Sequence, residues 1–311
     1  MSIQCDIDIT RAEGYHVPVL LKETVEGVLT RPNGIYIDAT LGGGGHSRAL
    51  LSLLAPEGHL FGLDRDADAQ QHNTITDPRF TFVRTDFRYL AHFMDYYGID
   101  AVDGIIADLG VSSHHLDDEQ RGFSFRFDAP IDMRMCQEAP RTAADLLREC
   151  STQELAHILK EYGEVKGNYR IAQALTQARE EQELQTINDL LNAIQPVCPK
   201  EDKKNLARIF QALRIVVNDE LGALEALLEE GSKLLRPGGR MAIITYHSLE
   251  DRRVKNFFRN GNLSGTRQTD LYGVPLSHME PATAKPILPS SEEQSRNPRS
   301  RSAKLRIGIR Q

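Results

Sequence analysis

A run of four glycines follows the first short apolar segment of the chain, and that segment ends in an acidic residue. The acidic residue is Asp38, and the glycines are Gly42 to Gly45. Glycines let the backbone turn tightly and approach a ligand closely, and a helix that follows them presents unpaired N–H groups. A glycine run also makes plain surface turns, so by itself it indicates a binding loop only weakly.

Two further acidic residues lie where later apolar segments end. Asp64 follows the glycines by about twenty residues, a position where a carboxylate can accept two hydrogen bonds from a ribose diol. Asp86 precedes Phe87, whose ring offers an apolar face to an adenine, and Asp86 could accept a hydrogen bond from the adenine amino group. Asp64 suits a nicotinamide cofactor and S-adenosylmethionine alike. Phe87 also suits a purely structural place in the core.

Asp108 ends a fourth apolar segment, Val102 to Asp108. Ligands of open α/β sheets bind outside the carboxyl ends of the strands, so we expect Asp108 near a reacting centre. Its carboxylate could hold an ammonium group of a cofactor or polarise an incoming amine, and it is the candidate catalytic residue. The Asn/Asp-Pro-Pro-aromatic motif of many enzymes that methylate exocyclic amines is absent here, which weakens an analogy to DNA amino-methylases.

Four histidines, His46, His114, His115 and His247, lie next to these loops. Their spacing is not that of metal ligands, so no catalytic metal is predicted. His115 could line a cofactor pocket. The four cysteines are scattered, which is typical of a reducing compartment rather than of a zinc site or a disulfide framework.

The elements that must position these residues alternate between strands and helices over the first 110 residues. The strands are nearly continuous apolar runs, such as His59 to Asp64, and this indicates burial on both faces. The alternation predicts an α/β fold with a mostly parallel, doubly wound, Rossmann-like sheet. Ala303 to Arg310 alternates apolar and basic residues, and is predicted to be an edge strand of the same sheet.

The pattern turns helical between residues 114 and 215, where a continuous helix is predicted over Thr142 to Tyr162. We therefore predict three parts. A disordered tail occupies residues 1–15. A discontinuous domain of residues 16–113 and 216–311 carries the sheet. A helical domain of residues 114–215 is inserted into it.

The charge distribution is uneven in a chain whose net charge is −7. The acidic total counts against general coating of nucleic acid, but residues 294–311 hold six basic and no acidic residues. A second basic cluster comprises Arg252, Arg253, Lys255 and Arg259. Such patches are consistent with docking on one defined piece of RNA. They are equally consistent with basic residues that only face solvent. No apolar run is long enough to span a membrane and no secretory signal is present, so a cytoplasmic location is expected.

Ordered segments from about residue 16 to 307 resemble the RsmH (MraW) family of small-subunit ribosomal RNA methyltransferases. The most specific is Asp108 to Ser113 (DLGVSS). It is followed by Arg121 to Phe125 (RGFSF), Asp132 to Met135 (DMRM), Pro237 to Arg240 (PGGR) and His247 to Arg252 (HSLEDR). The chain departs from the family pattern at Gly43, where an arginine is often found, at His114-His115 in place of Pro-Gln, and at Thr245-Tyr246 in place of Ser-Phe.

This resemblance implies a class I S-adenosylmethionine methyltransferase fold with an inserted helical substrate-recognition domain. It implies methylation of the exocyclic N4 amine of a cytidine in small-subunit (16S) ribosomal RNA, near the decoding centre. The partner is then that RNA or the assembled small subunit, and a homodimer stays open. By matching position, the contacts to S-adenosylmethionine fall on Gly44, Gly45, His46, Asp64, Phe87, Asp108 and His115.

The segment from Leu116 to Met135 is predicted to be a lid that faces the substrate. It mixes arginines and aromatic residues, namely Arg121, Phe123, Phe125, Arg126 and Phe127. That mixture suits stacking on unpaired bases and pairing with phosphates, and equally aromatic residues that plug a core.

Two other functions fit parts of the sequence. A nicotinamide-dependent oxidoreductase would use the glycine loop and Asp64, but it predicts a GxGxxG spacing rather than four consecutive glycines followed by His46. A non-catalytic RNA-binding factor of ribosome assembly could keep the fold. The acids that end the first, second and fourth strands argue against it, because an inactive pocket has no need of them.

Overall fold

The computed structural model describes residues 18–112, 116–272 and 276–311. The chain divides into two compact units, one made by the chain up to Gly110 and from Gly222 onward, the other by Val111–Leu221. The predicted disordered tail, His114 and His115 lie outside the described residues. Within the described ranges, no helix combines the length and apolar character needed to cross a membrane.

Strands and helices are numbered in chain order. The strands are β1 Ile35–Asp38, β2 His59–Asp64, β3 Phe80–Arg84, β4 Val102–Asp108, β5 Leu235–Thr245, β6 Met279–Pro281 and β7 Lys304–Arg310. The helices are α1 Leu21–Val28, α2 Gly45–Leu51, α3 Ala67–His72, α4 Leu90–Tyr96, α5 Ala143–Glu149, α6 Thr152–Gly163, α7 Asn168–Glu181, α8 Ile187–Ile194, α9 Lys203–Asn218, α10 Glu220–Leu234, α11 Ser248–Asn260 and α12 Ser291–Arg296.

The first unit is built on one sheet, which in the described part of the chain has seven strands in the order β3-β2-β1-β4-β5-β7-β6. The first five strands in this order, β3, β2, β1, β4 and β5, run parallel to one another. Strand β7 runs antiparallel to both β5 and β6. The chain order reverses between β1 and β4. In open α/β sheets this switch point opens a crevice at the carboxyl ends of the strands, where ligands bind.

Helices cover both faces of this sheet. Along β4, Ile105 and Ala107 point into one apolar layer and Ile106 into the other, as the two-residue period of a strand requires. Helices α1 and α2 pack on the Ile106 face, while α4, α10 and α11 pack on the opposite face. The predicted doubly wound α/β fold is therefore confirmed.

The prediction that residues 303–310 form an edge strand is wrong. Strand β7 lies between β5 and β6, and its side chains Leu305 and Ile307 are buried. The outer neighbour β6 has only three residues, Met279–Pro281, and pairs with the carboxyl end of β7. A strand that short carries too little alternation to be seen in the sequence.

The second unit is helical, with α5 to α9 and its own apolar core. The continuous helix predicted over residues 142–162 is wrong, because it divides into α5 and α6 at Cys150 and Ser151. Ser151 starts the new helix through a capping box. Its hydroxyl accepts the Glu154 N–H, and the Glu154 carboxylate accepts the Ser151 N–H at 2.7 Å. Such reciprocal bonds satisfy donors that a helix start leaves unpaired.

Candidate functional site

The glycine loop after β1 is tied to the carboxyl end of β2 by one carboxylate. Asp64 accepts the Gly42 N–H through Oδ2 and the Asp66 N–H through Oδ1, both at 2.9 Å. Gly44 has a φ of 72° and forms the N-cap of α2. That left-handed conformation favours glycine, because a Cβ would be strained there. The structure therefore brings together the predicted loop and the predicted strand-end acid.

The glycines of this loop differ in what surrounds them. A Cβ on Gly42 would have, among the described atoms within 4 Å, only the Thr40 carbonyl oxygen at 3.9 Å. Within the described part of the chain, the backbone at Gly42 is therefore uncrowded. A Cβ on Gly45 would instead overlap the Pro18 ring, so Gly45 is required by packing within the fold. A Cβ on Gly44 would lie 3.1 Å from the side chains of Arg48 and Ile75.

His46 lies in the first turn of α2 and its side chain is buried. Its Nε2 lies 3.1 Å from the Val19 carbonyl oxygen. A carbonyl only accepts, so Nε2 carries the hydrogen and donates it. Burial lowers the pKa of His46, while the nearby Asp108 charge acts in the opposite direction. The imidazole is therefore neutral at pH 7, and it fastens the segment before α1 to the start of α2.

Asp108 ends β4 next to the switch point and is held at two places. Its backbone N–H donates to Thr40 Oγ1 at 2.6 Å, and its carboxylate Oδ1 accepts from the Tyr246 hydroxyl at 2.7 Å. Burial raises the pKa of Asp108 to about 6. The hydrogen bond from the Tyr246 hydroxyl lowers that pKa, whereas the carboxylate of Asp38 raises it further.

Asp38, at the end of β1, is a further carboxyl group at this edge and is 1% exposed. It accepts from Ser47 Oγ at 2.6 Å and from the Thr40 N–H at 3.2 Å. Burial raises its pKa to about 6, and the hydrogen bonds from Ser47 and Thr40 partly counter that effect. Asp38 thereby fixes both ends of the loop that runs from β1 into α2. It was absent from the predicted site residues.

Tyr246 and Glu250 were also missed by the sequence predictions. Tyr246 directly follows β5, and its backbone N–H donates to Glu250 Oε2 at 2.8 Å. Glu250 is 2% exposed, and its Oε1 lies 3.2 Å from His247 Nε2. Because β4 and β5 pair in parallel with Asp108 opposite Ile244, Tyr246 comes just beyond Asp108 at the same edge. The register between the two strands is the signal that would have revealed it.

Phe87 and Asp86 begin a short 3₁₀ helix after β3. Phe87 is half-buried, and packs against the apolar layer that holds α4. Asp86 caps this helix by accepting the Arg88 N–H at 3.0 Å, and it pairs with Arg65 and Arg88 side chains at 3.2 and 3.3 Å. Asp86 is thus an ion-paired cap.

Part of the proposed lid lies inside the core of the second unit. Arg121 is 3% exposed and donates from Nη2 to the carbonyl oxygens of Arg134 and Met135, both at 3.0 Å. Phe123 is buried in the apolar core, and the Phe125 ring lies 5.5 Å from the Phe210 ring. Of the two roles left open for Phe123, base stacking and filling a core, the burial of its ring supports the second.

Arg126 and Phe127 differ from the rest of that segment. The Arg126 side chain is 55% exposed and the Phe127 ring is half-buried, with the guanidinium 5.6 Å from the ring centroid. Arg126 also pairs with the exposed Asp117 at 3.3 Å. Arg126 and Phe127 are therefore an arginine and an aromatic residue of this segment that remain accessible to solvent.

The residues at the carboxyl edge of the first unit fit S-adenosylmethionine. The open backbone at Gly42 leaves room beside the loop. The carboxylates of Asp38, Asp64 and Asp108 end neighbouring strands β1, β2 and β4. Carboxylates are acceptors that suit the ribose diol and the ammonium group of this cofactor. The loop needs no phosphate-binding cation, because this cofactor carries no phosphate.

Five parallel strands with an antiparallel β7 inserted beside β5, and this edge of glycines and acids, define a class I S-adenosylmethionine-dependent methyltransferase. The model of the MraW methylase family matches residues 13–310, and the chain belongs to that family. The protein named ribosomal RNA small subunit methyltransferase H from Parabacteroides distasonis is 55% identical over 295 residues, which cover 94% of this chain and 96% of that protein. Its namesake from Porphyromonas gingivalis is 54% identical over 299 residues, with the same coverage of both chains.

Proposed function

We propose that this protein transfers a methyl group from S-adenosylmethionine to the exocyclic N4 amine of a cytidine in small-subunit ribosomal RNA, near the decoding centre. The observation that carries the proposal is the position of Asp108, a carboxylate at the switch point of the sheet with Oδ1 already held by Tyr246. Relatives 51–55% identical over 94% of the chain, all named as small-subunit ribosomal RNA methyltransferases, support the RNA as substrate.

The cofactor supplies a methyl group that is already activated on its sulfonium, so the protein has to align the reactants and exclude water. We assign the cofactor's surroundings to the glycine loop, the strand-end acids and their neighbours. These are Gly44, Gly45, His46, Asp64, Phe87, Asp108 and His115, the last of which lies outside the described residues. Gly45 and His46 act there by holding the loop in place, through Pro18 and Val19.

Asp108 has the chemistry to assist the amine. The lone pair of the cytidine N4 is conjugated with the ring, and an acceptor for its N–H bonds favours rotating that lone pair out toward the methyl group. The Tyr246 hydroxyl occupies Oδ1, which leaves Oδ2 as the oxygen we propose to accept from the amine. With a pKa of about 6, the carboxylate is ionised and able to accept at neutral pH.

The inserted helical domain, residues 114–215, is proposed to recognise the RNA. Exposed Arg126 and half-buried Phe127 are the residues of the 116–135 segment that keep chemistry suited to phosphates and bases. The assay described below offers both free RNA and assembled small subunits, and therefore shows which is the better substrate.

The test of the cofactor site is isothermal titration of S-adenosylmethionine into the wild type and into Asp64→Asn and Asp64→Ala variants. We expect both variants to weaken binding at least about tenfold, because one hydrogen bond to a charged group contributes roughly 1.5–3 kcal/mol. Asp100→Ala is the matched control. Asp100 is an exposed acid just before β4, at the opposite end of the sheet, and its loss should leave the affinity unchanged.

The test of the reaction uses small-subunit RNA and small subunits that lack the modification, followed by digestion and mass spectrometry of the nucleosides. We expect N4-methylcytidine with the wild type, and none with Asp108→Ala at pH 7.5. A methyl group on a ring carbon or on a purine would overturn the N4 assignment. Near-normal turnover by Asp108→Ala would remove Asp108 from both of its proposed roles.

A further inference from the structure

Helix α11 presents a row of exposed cations on one face. Arg252, Lys255 and Arg259 are exposed, whereas the opposite face buries apolar side chains. The cations are spaced by three and four residues, which places them on one side of a helix with 3.6 residues per turn. We call these three residues the cationic stripe.

Two acidic groups beside α11, Asp251 and Glu225, are already paired with other cations. Asp251 accepts from Arg306 at 2.7 Å and from Lys304 at 3.2 Å. Glu225 accepts from Arg253 at 2.6 Å. The three residues of the cationic stripe, by contrast, make no ion pair or hydrogen bond with the part of the chain that the structure describes.

The stripe starts beside the proposed reacting centre. Helix α11 begins at Ser248, two residues after Tyr246, whose hydroxyl contacts Asp108. With a rise of about 1.5 Å per residue, the Cα atoms of Arg252 and Arg259 are roughly 10 Å apart along the helix axis. The three charges therefore lead away from the reacting edge over a length comparable to a few nucleotides of an RNA strand.

We propose that the cationic stripe binds phosphates of the RNA strand that flanks the target nucleotide. This inference rests on the proposed function. The chain carries a net charge of −7, so its overall charge disfavours RNA, and an uncompensated positive row next to the reacting edge directs the strand there. Contacts of this kind fix position and register along the strand but read no sequence.

The test compares two doubly substituted variants that each lose one lysine and one arginine. Lys255→Gln/Arg259→Gln removes the outer part of the stripe. Lys233→Gln/Arg236→Gln is the matched control, because both residues are exposed and lie at the opposite end of the sheet, where α10 ends and β5 begins. The measurements are KM for small-subunit RNA at several salt concentrations, the Kd for S-adenosylmethionine and the unfolding temperature.

For the stripe variant we expect KM for RNA to rise about tenfold. The slope of log KM against log salt should fall by roughly 0.7 for each phosphate of a single strand that the variant no longer neutralises. The Kd for S-adenosylmethionine and the unfolding temperature should match the wild type. An unchanged KM and salt slope, or the same change in the control, would overturn the inference. Absence of methyl transfer by the wild type is a different result, since it would overturn the proposed function instead.

If the stripe variant transfers methyl groups to free RNA with wild-type KM and loses activity only on assembled small subunits, the stripe contacts ribosomal protein. That outcome also overturns the inference, because the partner of the stripe is then not an RNA phosphate. Crosslinking from a photoreactive group at residue 255 shows directly whether the stripe contacts RNA or protein. The inference predicts a crosslink to RNA. A protein adduct alone would contradict it.

Discussion

The hydrogen bond between Tyr246 and Asp108 gives the reacting edge an asymmetric carboxylate. One oxygen is held by the hydroxyl at 2.7 Å, and the same bond lowers the pKa of Asp108 against the effect of burial. Burial also raises the pKa of Tyr246 well above its usual value, so the hydroxyl keeps its proton at physiological pH and remains the donor. The tyrosine therefore orients Asp108 and helps to keep it ionised.

Replacing Tyr246 by phenylalanine should shift the pH dependence of methyl transfer. A carboxylate that must be ionised loses function as the pH falls through its pKa in the folded protein, which is about 6 in the wild type. Without the hydroxyl that pKa is higher, so the acid limb of the Tyr246→Phe profile should move to higher pH. Loss of the contact that orients Asp108 should also reduce the activity at pH values where the carboxylate is fully ionised. The measurement is kcat/KM across the pH range, because this ratio reports the pKa of groups in the free enzyme.

Tyr96→Phe is the control for that experiment, because its side chain is 80% exposed on α4. Its pH profile should overlay the wild type. An acid limb for Tyr246→Phe at the wild-type position would show that the hydroxyl does not influence the group that titrates.

At the level of single residues, the sequence was sufficient to predict which residues lie close together when those residues follow parallel strands that end at the same edge of the sheet. Asp64 and the glycine loop meet for that reason. The pairing of Tyr246 with Asp108 needs the register of β5 against β4, and the whole second unit separates these strands in the chain. Local patterns do not fix such a register. The requirement for Gly45 was equally hidden, because it arises from Pro18 rather than from a ligand.

Among the elements, α1 and β4 approach closely at a glycine. A Cβ on Gly104 would lie 2.6 Å from Val28 Cγ2 and 2.8 Å from Tyr36 Cδ1. Val28 and Tyr36 belong to the apolar layer on that face of the sheet, and both are fully buried. Neither side chain has room to yield, so α1 can pack on β4 only because this position has no side chain.

Replacing Gly104 by alanine should lower the free energy of unfolding by about 1–3 kcal/mol, the range expected for an overpacked core. Urea unfolding followed by circular dichroism measures this. Gly98→Ala is the control, since no described atom lies within 4 Å of its Cβ position, although its φ is +69°. Backbone strain alone there should remove roughly 1 kcal/mol. A loss for Gly104→Ala no larger than the control would mean that α1 shifts freely.

The elements also show which signals a sequence carries and which it lacks. The division between α5 and α6 is encoded by Ser151 and Glu154, a capping-box spacing inside an otherwise helical pattern. The inner position of β7 has no such signal, because it depends on a three-residue strand beyond it. In the second unit, Asn218 holds the Met133 carbonyl and the Met135 N–H at 2.7 Å each, a long-range pairing that no periodicity reveals.

For the whole molecule, cofactor binding should be visible as stability. A ligand that binds only the folded state adds about 2.7 kcal/mol when present at one hundred times its Kd. S-adenosylmethionine at that concentration should therefore raise the unfolding temperature by several degrees, as measured by scanning calorimetry. NADH at the same concentration should leave it unchanged. A shift with NADH and none with S-adenosylmethionine would restore the oxidoreductase alternative.

The interruption of the sheet by the second unit has a consequence for synthesis of the protein. Strand β4 is complete once Asp108 has been made, but its partner β5 begins only at Leu235. Translation at about 5–20 residues per second leaves the outer edge of β4 unpaired for on the order of ten seconds. A bare apolar strand edge is a template for pairing with another nascent chain. We therefore expect the yield of folded enzyme to depend on how fast the ribosome translates residues 109–234, and slow codons in that stretch to increase aggregation.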